Sequence, residues 1–530
     1  MAPLVAAALI AFVQTGHHLY PWGDHAIVEG ETLRAWFGDQ LVGTYSRYGW
    51  HHPGPALHYW MAVWYELFGR SPAALNGAAA VLNAVAVGLL VALTGRFAGR
   101  AAAFGAAALA LLYVAQEGAV VVRDFWIPHT VMLPFAALIV VTAAAAGGRV
   151  LLVPVVALLA SFLAETDLSV APAAAGVLAG GLLFWVATRG WRRVRWDRRV
   201  ALMVAGTVAL CAIVWWPPIH DELRRGPGNI SALRDFFKQP DPGHTLREGV
   251  DAVANSLTVL VTGGRAASLA VPASLGAHLL LAVAVVLLVA GLVLALRSAR
   301  RFAAALCATA LAAVVAEIYA VTQIRGELFT YLVDWFGAAA VAIWLAIGVA
   351  LVPEVVRRQR PDPDATRRLD PVTERLKPEG RRVRGLGAVV AVCACALAIW
   401  GVAAQVRRAD LAKHDPAYSN PVEKPVVLAV QAFVTKNHVR DPILYIPHPN
   451  QWPIAAGVYA ERFRHNERLA VEQAYLNVFG PQLAPTRKED ASIVFADAAL
   501  PKPLVAPDAK VIARAGGTIV YANVLRRSSS

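Results

Sequence analysis

Charge is what this chain has least of. Only 16% of its 530 residues are Asp, Glu, Lys or Arg, and the mean hydropathy is +0.51. A soluble domain carries about 25% charged residues. The shortage excludes an ordinary soluble enzyme, a disordered chain and a coiled coil. Cysteine is scarce too. The four present, Cys211, Cys307, Cys393 and Cys395, fall in or beside apolar runs, so no disulfide framework is expected. Cys393-x-Cys395 reads as two small helix residues rather than a metal site. No G-x-x-x-x-G-K-[ST] occurs, nor a G-x-G-x-x-G after a strand pattern, so no nucleotide partner is expected. Internal repeats are missing, which counts against the common transporter architectures.

Long runs of Ala, Val and Leu fill the space that charge leaves. Windows of about 19 residues place eleven spans, at 2–15, 72–95, 101–116, 127–146, 150–164, 169–187, 200–216, 270–296, 302–321, 331–352 and 385–404. The first is shorter than the ~20 residues a crossing needs, so its helix extends to His17 or the start is truncated. It lacks the basic flank and cleavage site of a signal peptide. The net charge of +13 does not point to nucleic acid, because the arginines sit between apolar runs. Loops holding Arg96 and Arg100, Arg149, Arg189–Arg199, Arg297–Arg301 and the basic 353–384 segment read as cytoplasmic by the positive-inside rule. The others, 16–71, 117–126, 165–168, 217–269, 322–330 and everything after 405, then read as external. These are long and rich in His, Trp, Tyr and acids, so chemistry is expected there. The N-terminus is expected inside and the C-terminus outside.

Composition changes after about 405. Short strands are predicted at 443–446, 469–472, 493–495, 510–513 and 518–522, and helices at 425–437 and 452–465. The expected fold class is therefore mainly α: a polytopic membrane module over 1–404, with a small external α/β domain over 405–530.

The 17–70 segment carries the densest chemistry. Asp24 lies about nine residues beyond the first span, and Glu29, five residues on in a predicted helix over 24–36, is expected near the same face but not stacked on it. Partly desolvated carboxylates serve as general bases on hydroxyls. Gly-Asp before a helix reads equally as an N-cap. Next comes Tyr45-Ser46-Arg47-Tyr48-Gly49-Trp50-His51-His52-Pro53-Gly54-Pro55, whose Arg47, His51 and His52 suit a phosphate. The apolar, aromatic 56–68 stretch is too short to span and suits an interfacial helix.

These residues carry a resemblance. One carboxylate after the first span, a long first external loop and a soluble external C-terminal domain resemble glycosyltransferases of the GT-C fold. More narrowly, the chain is similar to a group of actinobacterial membrane proteins with G-D-x-A-x-x-E and Y-S-R-Y-G-W-x-H-P-G-P in the first loop, here 23–29 and 45–55. The similarity extends through 126–129, 215–221, 227–229 and 452–457. It implies a polyprenyl-phosphate-linked sugar as donor, arabinofuranose and mannose being the obvious sugars, a cell-envelope acceptor, and Asp24 as catalytic base. Two departures stand out. Trp126-Ile127-Pro128 replaces W-N-P, and Glu165-Thr166-Asp167 replaces Q-x-H.

Further candidates lie at span edges, where charge marks function by default. Glu29 joins Asp24 as a catalytic candidate. Substrate contacts are expected from Arg47, Tyr48, His51, His52, Arg123, Asp124, Glu165, Gln323 and Arg325. Arg123 and Asp124 read equally as a surface ion pair. A divalent cation (Mg, Mn or Ca) is a candidate cofactor, held by Asp24, Glu165 and Asp167, since hard cations prefer carboxylate oxygens. The 217–269 loop is expected to cap the site or bind acceptor. The competing readings are a lipid-linked-sugar transporter and a non-catalytic scaffold that binds cell-wall polymer. A transporter predicts charge inside spans, and Glu317 is the main such residue.

Overall fold

The computed structural model describes residues 19–118, 120–241, 243–262, 271–357, 422–486 and 488–525. The spans at 2–15 and 385–404, the boundary at 404/405, Cys393, Cys395 and most of the 353–384 loop lie outside these. The nine remaining spans all fall on helices. In chain order the first elements are α1 (Gly23–Trp36), α2 (Ala56–Leu67), α3 (Pro72–Ala98), α4 (Arg100–Glu117), α5 (Val120–Arg123) and α6 (Ile127–Ala146). Then come α7 (Val153–Thr166), α8 (Ala171–Ala187), α9 (Arg198–Arg225), α10 (Asn229–Lys238), α11 (Leu246–Thr262), α12 (Leu275–Arg297), α13 (Arg301–Gln323) and α14 (Trp335–Arg357).

Among the described residues, five helices (α3, α6, α9, α12 and α13) are long and apolar enough to cross a membrane. The chain is a polytopic membrane protein. Helix α6 sits at the centre of the bundle, with almost its whole length buried, whereas α9 and α12 present Leu202, Val208, Ile213, Val286 and Val289 outward. A soluble protein avoids such apolar faces; lipid accepts them. Helices α8 and α13 pack closely because Gly176 and Gly180 leave room for Ala316 and Ala312, where a Cβ would come within 2.3 Å of each. That is the small-xxx-small device of membrane helices.

Three boundaries differ from the sequence reading. Helix α9 does not stop at 216 but runs through Pro217 and Pro218 to Arg225. The 217–269 segment is not a loop: it carries α10 and α11. Helix α11 buries Ala252, Val253, Ala254, Leu257 and Val259 against α12 and α13, so it belongs to the membrane-domain core. The basic 353–384 segment begins as the last turns of α14.

The C-terminal domain contains α15 (Glu423–Lys436), β1 (Pro442–Tyr445), α16 (Trp452–Arg464), β2 (Ala470–Val471), α17 (Leu476–Phe479), β3 (Ala491–Asp497), β4 (Lys510–Ala515) and β5 (Thr518–Val524). All five predicted strands are present. The sheet order is β2-β1-β3-β5-β4, with β1 parallel to both β2 and β3, and β5 antiparallel to β3 and β4. Its core of Val426, Val430, Leu444, Tyr459, Ile493, Phe495 and Val520 also takes in Ala26 and Ile27 of α1. Val28 and Leu33 of the same helix pack into the membrane-domain core. Helix α1 is thus shared by the two cores.

Candidate active site

Asp24 sits in the first turn of α1, and it is not a cap. The N-cap residue is Trp22, which makes no side-chain cap bond. Gly23 takes φ +54°, a left-handed conformation that disfavours other residues, and this turns the chain into the helix. The Asp24 carboxylate accepts the Tyr45 hydroxyl at 2.6 Å on Oδ1 and the Trp126 indole N–H at 3.1 Å on Oδ2.

The 45–55 motif folds as a tight antiparallel turn. Tyr45 bridges His51, Ser46 N–H donates to the Trp50 carbonyl at 2.7 Å, and Gly49 closes the turn at φ +85°. The turn brings Tyr45, Arg47, Tyr48, Trp50 and His52 to a cavity of about 700 Å³ that also contains Asp24. Every segment read as external reaches this cavity. The 117–126 segment gives Trp126, the tight 165–168 turn gives Asp167 and Leu168, and α10 gives Phe236 and Phe237. Gln323, Ile324 and Arg325 come from the end of α13 and just beyond it, and Trp452 from the C-terminal domain. The arginine-rich connections contribute nothing to it. At that other end of the bundle Arg300 donates to the Val349 and Ala350 carbonyls, and Arg149 lies over Phe97.

Two cations line the cavity. The Arg47 guanidinium stands 4.3 Å from the Phe329 ring centre and 5.3 Å from that of Tyr48, and no carboxylate pairs with it among the described residues. Arg325 is partly committed. It donates to the Phe236 and Phe237 carbonyls at 2.5 and 2.9 Å, closing the C-terminal end of α10, where cations are favoured. The Tyr48 hydroxyl donates to the Arg325 carbonyl at 2.6 Å. His52 Nδ1 accepts the Leu168 N–H at 3.0 Å, which leaves the proton on Nε2. Burial pushes the His52 imidazole below its ordinary pKa, with Asp167 pulling the other way. Gln323 donates to Thr322 Oγ1 at 2.9 Å.

Asp24, Arg47, Tyr48, His52, Gln323 and Arg325 therefore line one cavity, together with Asp167. Five candidates do not. Glu29 is turned away, because five residues of helix rotate the side chain by about 140°. It is buried against the C-terminal domain, where Arg464 grips it at 2.8–3.1 Å. Asp124 does not pair with Arg123. It accepts His25 Nε2 at 2.8 Å, His129 Nδ1 at 2.6 Å and the Trp126 backbone N–H at 3.0 Å. Burial opposes its charge, but the two histidines outweigh that and hold the carboxyl well below its usual range. Asp124 thus orients the loop that aims Trp126 at Asp24. Arg123 is buried outside the cavity wall. Glu165 is sealed beneath Gly54, where a Cβ would stand 2.4 Å from its carboxylate. His51 holds α10 through its backbone, donating to Asn229 Oδ1 at 2.8 Å. Among the described residues no three of His, Cys, Asp and Glu meet as a metal requires. Asp24, Glu165 and Asp167 do not meet in such a group.

Sequence reasoning missed Tyr45, Tyr331, Phe236, Phe237 and Trp452, because aromatics near a membrane read as anchors. It also missed Glu31, which is buried behind Thr44 and accepts that residue's hydroxyl. His58 Nε2 lies 3.3 Å from Glu31 and Arg34 lies 3.7 Å away. Burial raises the Glu31 carboxyl to about 7, Arg34 and Thr44 pulling the other way. A rise of that size is worth about 3 kcal/mol. The unfolded chain ionises Glu31 first, so stability from this group falls as pH rises from about 4.5 to about 7. Glu31→Gln keeps an acceptor for Thr44 and removes the titration. Its melting temperature relative to wild type should rise between pH 5 and pH 8. An equal difference at both pH values would show that Glu31 is ionised throughout.

Comparison with known proteins gives the fold a name. Two solved structures of ArnT from Cupriavidus metallidurans match, one bound to undecaprenyl phosphate and one in the apo state. Each has a TM-score of 0.57 and 15% identity, over 98% of this chain and 97% of that one. The fold is that of ArnT, a GT-C glycosyltransferase. No family model matches the chain, and no curated protein does. Within this GT-C fold the cavity lies at the end of the bundle next to the C-terminal domain, on the Asp24 side of α1.

Proposed function

We propose that the protein is a membrane glycosyltransferase that moves a sugar from a polyprenyl-phosphate donor to a hydroxyl of an extracytoplasmic acceptor (a cell-wall glycan, lipid or protein). The observation that carries this reading is a single cavity with a doubly oriented carboxylate, Asp24, and a cation without a carboxylate partner among the described residues, Arg47. Tyr45 and Trp126 occupy one lone pair on each Asp24 oxygen and leave the others to take a proton. The acceptor O–H gives that proton to Asp24, and its oxygen bonds to the anomeric carbon. The bond from that carbon to the phosphate oxygen breaks, and polyprenyl phosphate leaves with the electron pair. One displacement inverts the anomeric centre. Arg47 and Arg325, with the His52 Nε2–H, meet the leaving phosphate. Phe236, Phe237, Tyr319 and Leu332 give the lipid chain an apolar exit.

The arginine-rich end is the cytoplasmic one in this reading, and the cavity opens on the opposite face. The solved ArnT bound to undecaprenyl phosphate supports a polyprenyl-phosphate partner. The transporter and scaffold alternatives are not favoured. Glu317 is buried in the bundle rather than on the cavity, and a scaffold gives no reason for the Asp24 geometry.

The test is sugar transfer by the full chain in proteoliposomes. Arg47→Ala should slow transfer at saturating donor by at least about tenfold, as removal of a leaving-group partner does. Arg47→Lys should retain part of the rate, because a point charge still meets phosphate. If Arg47→Ala is silent and Arg325→Ala is not, the leaving-group role belongs to Arg325.

A further inference from the structure

Helices α1 and α16 run side by side in a constant register. Gly23 faces Trp452 and Pro453, and seven residues on, Gly30 faces Tyr459, whose ring leaves no room for a Cβ. Beyond that, Arg34 donates to the Tyr459 hydroxyl at 2.6 Å and to the Phe479 carbonyl at 2.9 Å. Arg464, at the last turn of α16, reaches back to the buried Glu29. Helix α16 is therefore held along its whole length against the helix that carries Asp24. Its first residue, Trp452, packs at the border of the C-terminal core. Trp452 lines the Asp24 cavity and stands edge-to-face on Tyr45 at 5.7 Å, the residue that donates to Asp24. The cations lie elsewhere on the wall, Arg47 on Phe329 and Arg325 on Phe236.

We propose that the C-terminal domain is part of the active site: Trp452 forms the wall against which the transferred sugar packs, and so helps to select that sugar. This rests on the glycosyltransferase reading and goes beyond it. The chemistry follows from what each wall offers. A lipid phosphate is drawn to Arg47 and Arg325. The sugar it carries must then place its anomeric carbon near Asp24, between Trp126 and the Tyr45–Trp452 pair. The C–H edges of a sugar ring carry slight positive charge, and an aromatic face is negative. Trp126 is already committed through its N–H to Asp24. The Trp126 ring also packs on His129 and Tyr331, whereas among the described residues Trp452 has only Tyr45 as a ring contact and borders the cavity. A ring of different size or hydroxyl orientation presents a different C–H surface to a wall fixed by the α1–α16 contacts. The wall therefore discriminates between donors with the same lipid and phosphate.

The experiment separates sugar recognition from lipid-phosphate recognition. The full chain in nanodiscs is titrated with decaprenyl phosphate alone, with decaprenyl-phosphate arabinofuranose and with decaprenyl-phosphate mannose. Wild type should bind one sugar-bearing lipid more tightly than the bare one. Trp452→Ala should weaken that binding by about tenfold and leave the bare lipid phosphate within about twofold, while Trp452→Phe should keep most of the preference. Equal weakening for all three lipids would mean that Trp452 only supports the cavity, and the proposal falls. An unchanged preference in Trp452→Ala overturns it too, as does a wild type that gains nothing from either sugar. A wild type that binds none of the three lipids removes the polyprenyl-phosphate reading itself, and this proposal with it.

Discussion

Asp24→Asn should slow sugar transfer by at least about 10²-fold while the protein folds and melts as wild type does. General-base catalysis is worth about 10²–10⁴-fold, and an amide cannot take the acceptor's proton. The substitution is conservative for a reason visible in the site. The introduced amide keeps a carbonyl oxygen for the Trp126 N–H, and its NH₂ can donate to the Tyr45 oxygen, since a phenol both donates and accepts. Neither partner is left unsatisfied, so little stability should be lost. Transfer and thermal unfolding are measured on the same preparation. Full transfer by the variant removes Asp24 as the base. Lost transfer with a fallen melting temperature makes Asp24 structural.

The two halves of the site differ in how far they could be read from sequence. Lipid imposes long apolar runs, so the nine described spans could be found one at a time. Helix α11 escaped because Arg247, Glu248 and Asp251 break the run within its first two turns, although Ala252–Leu260 supplies a buried face. The end of α9 escaped because Pro217-Pro218 is locally a stop signal, which the surrounding structure overrides. Asp24 and the 45–55 turn were legible because their residues lie close in sequence. Arg325 and Gln323, expected there because polar groups at a span edge need a reason, both line the cavity. Glu29 failed for a different cause. A carboxylate five residues from another looks like its partner until the helical rotation is drawn, and its true partner, Arg464, lies 435 residues away. Trp452 is as remote. The Gly23 and Gly30 spacing on α1 was the local signal for a helix packed there, but nothing local named α16 as that helix.

Arg464→Met should destabilise the protein by about 3–5 kcal/mol, because it removes the cation that the buried carboxylates Glu29 and Glu461 share and leaves Glu29 charged without it. Glu29 is 1% exposed and sits between two cores, so water cannot replace the guanidinium. The Tyr65 hydroxyl, at 2.5 Å, supplies a single hydrogen bond in its place. Methionine keeps much of the arginine's apolar stem, so the loss is not mainly one of packing. The double variant Glu29→Gln with Arg464→Met should recover much of the stability, since the glutamine side chain still accepts from Tyr65 and carries no charge to desolvate. Unfolding of the single and double variants in detergent closes the cycle. A double variant no better than Arg464→Met alone would show that α16 is held by its packing on Gly30 and not by the ion pair. If the pair is what matters, transfer should follow stability. The same contacts that bury Glu29 bring Trp452 to the cavity, so loosening α16 opens the wall beside Asp24 and slows transfer before the membrane helices are disturbed.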